Sequence, residues 1–80
     1  MSNNICLFGI ELKRLRIKHY YTQRELSRRM NIHKSTYNAW ERGHRLPLPH
    51  NLKEIVKFYQ ASGEDMESLV TLYQGIKEGQ

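Results

Sequence analysis

Apolar residues recur along this chain at three- and four-residue intervals, and no stretch alternates convincingly with period two. Ile5, Phe8, Leu12 and Leu15 mark a first helix from about residue 7 to 18. A second, from about Gln23 to Met30, opens on Thr22 and Glu25 in capping-box spacing. The threonine hydroxyl is placed to accept from the Glu25 N–H while the glutamate reaches back to the cap, and Tyr21 and Leu26 fall at the staple positions. Asn31 supplies the turn, since asparagine tolerates a left-handed backbone. A third helix runs from about Lys34 to Arg42, and Gly43 provides a left-handed stop. After the linker HRLPLP, Pro49 suits the first turn of a fourth helix whose inward face is Leu52, Ile55, Val56 and Tyr59. Ser62 and Asp65 offer a capping pair before a fifth helix bearing Met66, Leu69, Val70, Tyr73 and Ile76. The pattern predicts an all-α, compact five-helix domain without sheet.

Within residues 22–43 the two helices divide their faces. Leu26, Ile32, Tyr37 and Trp40 can point inward together, leaving His33, Lys34, Ser35, Asn38 and Ala39 outside. A rigid helix with such a polar face is what reading a DNA major groove requires. Tyr37 and Trp40 could stack on bases, but their inward spacing assigns them to packing.

Eighty residues make one domain, near the lower limit for folding without staples. The expected organisation is a flexible N-terminal arm over 1–6 and a DNA-binding domain over 7–78, with its two-helix unit at 22–43. The single cysteine, Cys6, excludes an internal disulfide and fits a reducing compartment. No apolar run reaches membrane-spanning length, and the Met1–Ser–Asn–Asn start lacks the basic residues of a secretory signal. A cytoplasmic, nucleoid-associated protein is expected. Residues 1–45 carry ten Lys/Arg against three acids (+7), whereas residues 46–80 carry three against five (−2). The positive half coincides with the two-helix unit and the helix before it, which favours a polyanionic partner.

Catalysis finds little support. His19, His33, His44 and His50 show no paired metal-ligand spacing, Cys6 is alone, and no phosphate-cradling glycine loop or Ser–His–acid set is present. A bundle this small is expected to lack a deep cleft. The expectation is a protein that is not an enzyme and takes no cofactor or metal.

The chain resembles the lambda-repressor-like, Cro-type helix-turn-helix family of prokaryotic and phage regulators over roughly Phe8 to Tyr59. Leu15-Arg16, Thr22-Gln23 with Glu25-Leu26, Trp40-Glu41-Arg42-Gly43 and Pro47 carry the likeness. Ser27 stands where alanine is usual, Asn31 where glycine is commoner, and His33 where serine or threonine usually caps the recognition helix. The resemblance implies a structural ion pair between Arg16 and Glu41. It also implies base contacts from the outward start of the third helix: Lys34, Ser35, Asn38, Ala39 and His33. Lysine can donate to guanine O6 and N7, asparagine can pair bidentately with adenine, serine can bond several edges, and alanine can rest on a thymine methyl. Phosphate contacts are expected from Gln23, at a helix start with free N–H groups, and from Arg42, His44 and Arg45.

One module of this size covers only about 600–1,000 Å² of protein surface on DNA, so a homodimer on an inverted-repeat operator is expected. Leu69, Val70, Leu72, Tyr73 and Ile76 are the candidate interface, unless they only close the bundle. With no second domain expected, control would rest on concentration, competition for sites, or a partner protein and not on a ligand-sensing segment. The family likeness points to a Cro-like repressor of phage, plasmid or mobile-element genes. Two other readings are an antitoxin that binds a toxin partner and regulates its own operon, and a protein-interaction module that does not bind DNA.

Overall fold

The computed structural model describes residues 4–78, which form five helices and no strand. They are α1 (Asn4–Lys18), α2 (Gln23–Arg29), α3 (Lys34–Glu41), α4 (Pro49–Gln60) and α5 (Glu67–Glu78). Helix α1 starts at Asn4 and not near residue 7, because the helical spacing continues upstream to Ile5, which packs against the core. Residues 4–6, expected in an arm, are therefore helical, while residues 1–3 of that arm lie outside the described residues.

Local chemistry sets the element ends. Both arms of the capping box form at α2: Glu25 N–H donates to Thr22 Oγ1 at 3.0 Å and Thr22 N–H donates to Glu25 Oε1 at 2.8 Å. Four helices then close in the same way, with one residue in the left-handed region and a pair of nested backbone bonds. At Asn31 (φ 58°), Ile32 N–H reaches Ser27 O and Asn31 N–H reaches Arg28 O. The same pairing occurs at Gly43 after α3, at Gly63 after α4, and at Tyr20 (φ 62°) after α1. Tyr20 is the unexpected member. It is 93% exposed, so no side-chain burial offsets its backbone strain. The α5 cap also differs from expectation. Asp65 Oδ1 accepts the Glu67 N–H at 3.0 Å, while Ser62 lies in the turn that ends α4.

Phe8, Leu12, Leu15, Leu26, Tyr37, Trp40, Ile55, Tyr59, Met66, Leu69, Tyr73 and Ile76 make one core. Helix α1 is its spine, packed on α3 and α5. Gly9 lets the α1 backbone lie directly on the end of α3: a Cβ there would come within 2.4 Å of the Glu41 carbonyl oxygen. Leu69, Tyr73 and Ile76, candidates for a dimer interface, are instead buried within one chain, and the Tyr73 hydroxyl donates to Pro47 O at 2.9 Å. A domain this short of core needs the α5 stripe to complete it. Val70 and Leu72 remain half-buried. At the far end of α1, Glu64 accepts from Lys18 Nζ at 2.7 Å and contacts His19 Nε2 at 2.8 Å, tying the α4–α5 turn to α1.

Candidate nucleic-acid interface

Helix α3 stands on its apolar side. Tyr37 and Trp40 are fully buried and meet edge to face with ring centroids 5.7 Å apart, so neither ring is open to a base. His33, Lys34 and Ser35 are exposed at the start of the helix, and Asn38 and Ala39 are half-buried further along. Arg42, His44 and Arg45 are exposed just past its end. His33 occupies the N-cap position with extended backbone but makes no side-chain capping bond. Its ring is therefore not committed to the helix.

Behind this face runs a connected polar chain from α1 to α3. Arg16 grips Glu41 at two points, Nε to Oε2 at 2.7 Å and Nη2 to Oε1 at 3.2 Å, and donates through Nη1 to Tyr21 O at 3.0 Å. The pair is nearly dry, with side chains 14% and 3% exposed. Burial alone would raise the Glu41 carboxyl, but hydrogen bonds from Arg16 and Gln23 outweigh it and hold the group below the ordinary carboxylate range. The hydrogen bond to Glu41 likewise raises Arg16 above its ordinary value. The carboxylate is thus ionised, and as a pure acceptor it orients whatever donates to it.

Gln23 is what it orients. Its Nε2 donates to Glu41 Oε1 at 2.9 Å and to Asn38 Oδ1 at 3.1 Å. Because the carboxylate demands the NH₂ end of the glutamine, the same NH₂ must face the Asn38 oxygen. Asn38 then keeps its own Nδ2 hydrogens for an outside partner. The sequence placed Gln23 on a phosphate and Asn38 on a base as separate residues. The structure joins them, and it commits both Gln23 side-chain hydrogens, leaving the Gln23 backbone N–H at the helix start. Nothing in the local sequence signals a bond spanning fifteen positions.

The arginines of α2 divide. Arg24 and Arg28 are exposed, whereas the Arg29 guanidinium lies over the Phe58 and Tyr21 rings, 5.3 and 5.7 Å from their centroids, on the side of α4. Cys6 is exposed beside Gly43. Among the described residues no group of three or more His, Cys, Asp or Glu side chains is placed to hold a metal ion, and no helix is long and apolar enough to cross a membrane.

Compared with known proteins, the chain matches the model of a helix-turn-helix family over residues 12–66, more than half its length. No curated protein and no solved structure matches it. The matched span runs from the buried Leu12 of α1 to the buried Met66 before α5 and takes in the whole Arg16–Glu41–Gln23–Asn38 chain.

Proposed function

The chain belongs to the lambda-repressor/Cro-like helix-turn-helix family of DNA-binding transcriptional regulators, and on that premise we propose that it is a Cro-like repressor of phage, plasmid or mobile-element genes. The observation that carries this reading is the recognition helix itself: an exposed polar start on a fully buried base, with Asn38 held in one orientation from behind.

In this reading α3 lies in the major groove. Lys34 donates to a guanine O6/N7 edge, and Ser35 and His33 contact adjacent edges or a phosphate. Asn38, with its carbonyl turned to Gln23, presents donors and so fits an acceptor such as guanine O6 or N7, or thymine O4, better than the bidentate adenine pairing expected from residue type alone. Ala39, half-buried, leaves room for a thymine methyl at most. Arg42, His44, Arg45 and the Gln23 backbone N–H hold the sugar-phosphate strands on either side, which positions the helix without reading sequence. Two copies act together on an inverted repeat at the nucleoid. Leu69, Tyr73 and Ile76 are buried within each copy, so this reading assigns the contact between copies to other surface.

Selection from a pool of random duplexes tests the proposal. The expected result is an enriched inverted repeat whose half-sites keep a fixed spacing near one helical turn or a multiple of it. Lys34→Ala should relax the preference at one defined position, costing on the order of 1–3 kcal/mol on the selected site and much less on random DNA. Selection that enriches nothing above background at any salt concentration refutes sequence-specific binding.

A further inference from the structure

The bundle encloses a space that DNA binding does not use. A pocket of about 420 Å³ opens between the C-terminal half of α2 and α4, lined by Leu26, Arg29, Met30, Ile55, Phe58 and Tyr59, with Leu12 and Tyr37 also in its wall. That volume lies within the about 300–1,000 Å³ common to small-molecule sites. The bundle, expected to lack a deep cleft, thus carries a half-open apolar pocket.

Two features of the wall say what would fill it. Tyr37 and Tyr59 are 0% and 1% exposed; the Tyr59 hydroxyl has no hydrogen-bond partner, whereas the Tyr37 hydroxyl lies against the Glu41 carboxylate. A buried hydroxyl left unpaired is costly, and a ligand oxygen reaching it would relieve that cost. At the rim stand Arg29 and Lys57 against one acid, Glu54. Neither cation is in a salt bridge among the described residues, and Arg29 is already held in place over two aromatic rings. An apolar, ring-lined body with an unpaired tyrosine hydroxyl in its wall and net positive charge at its mouth matches one ligand chemistry.

We propose that the α2–α4 pocket is an effector site for a hydroxylated aromatic carboxylate of one or two rings. The ring system lies among Leu26, Met30, Ile55 and Phe58. Its carboxylate pairs with Arg29 and Lys57, and its hydroxyl goes inward to the unpaired Tyr59 hydroxyl. Tyr37 belongs to α3 and stands one turn before Glu41, so an occupant that shifts Tyr37 acts on the same carboxylate that orients Gln23 and Asn38. Only this last link rests on the DNA-binding reading.

The probe is 6-hydroxy-2-naphthoate, titrated into the full chain without DNA and followed by calorimetry and backbone amide NMR. Saturable one-to-one binding is expected, with the largest shifts at Leu26, Met30, Phe58 and Tyr59. 2-Naphthol, which lacks the carboxylate, should bind about tenfold more weakly, as should the acid to Arg29→Gln, since each loses a charge-assisted hydrogen bond. Met30→Trp, which fills the pocket, should abolish binding; Arg29→Gln changes an exposed side chain and keeps the test valid where Met30→Trp fails to fold. The proposal is overturned by absent saturation, by shifts confined to the basic α2–α3 face, or by unchanged affinity in Arg29→Gln. A separate titration of duplex in the presence of the probe reads the coupling, so failure to bind DNA would leave the ligand result standing.

Discussion

Glu41→Gln isolates the charge at the centre of the Arg16–Glu41–Gln23–Asn38 chain while keeping its shape. The substitution leaves the Arg16 guanidinium, 14% exposed, facing a neutral amide in a nearly dry site. Breaking one half of a buried pair costs about 3–5 kcal/mol, because the remaining charge stays desolvated. The glutamine retains one acceptor oxygen, which places the expected loss near the lower end, about 3 kcal/mol. For a chain of this length the whole stability is only about 4–12 kcal/mol, so the variant should lose on the order of 15 °C in Tm. Urea titration with an unchanged m-value measures the loss directly. The pH dependence adds a sign. Glu41 is held below its ordinary pKa, so its contribution is complete above the ordinary carboxylate range and disappears as pH falls through the depressed folded value. The gap between wild type and variant must therefore close in acid. A double variant, Arg16→Met with Glu41→Leu, should lose far less than the two single changes added together, since it strands no charge. A loss under about 1 kcal/mol, or a gap that stays constant into acid, would refute the reasoning. The variant also frees the Gln23 amide to turn over. At temperatures where it remains folded, selection should show a weakened preference at the Asn38 position and an intact one at the Lys34 position.

Three further outcomes are expected. Tyr20→Gly should stabilise the protein by roughly 0.5–1 kcal/mol in urea titration, because the left-handed strain removed exceeds the extra chain entropy of glycine and the exposed ring gives up no burial; destabilisation would mean the ring has a contact that its exposure does not reveal. Gly9→Ala should cost at least about 2 kcal/mol, since its methyl would sit on the Trp40 and Glu41 carbonyls and force α1 away from α3; a neutral result in thermal melts would overturn that close approach. Arg42→Ala and Arg45→Ala should weaken specific and random duplex binding alike and flatten the salt dependence by about one unit per contact, doubled in a dimer; an unchanged slope for both removes them from the backbone contact.

What the sequence made legible is local. The Thr22–Glu25 box, the Asn31 turn and the Gly43 stop are each written within a few residues, so they emerge from spacing alone. The helical stripes likewise reveal the core, because burial follows period 3.6. What escaped is of two kinds. Tyr20 adopts a conformation that its residue type disfavours, and only the nested bonds from Tyr20 and Tyr21 to α1 reveal it. The Gln23–Asn38 link, the seating of Gly9 on α3 and the α2–α4 pocket arise between elements far apart in the chain. The same limit explains α5: its apolar residues read equally well as core or as interface until the other helices show that Leu69, Tyr73 and Ile76 have inward neighbours.

The seating of Gly9 against the end of α3 makes the recognition helix a lever with its pivot at the back. Eight residues at 1.5 Å rise give an arm of about 12 Å from that pivot to Lys34. A tilt of about 5° at the anchored end then sweeps the reading tip through about 1 Å, roughly the margin between a hydrogen bond made and one lost. If the start of α3 reads bases as proposed, fidelity there would be governed by angular stiffness at the opposite end, where two carbonyls and one missing side chain meet.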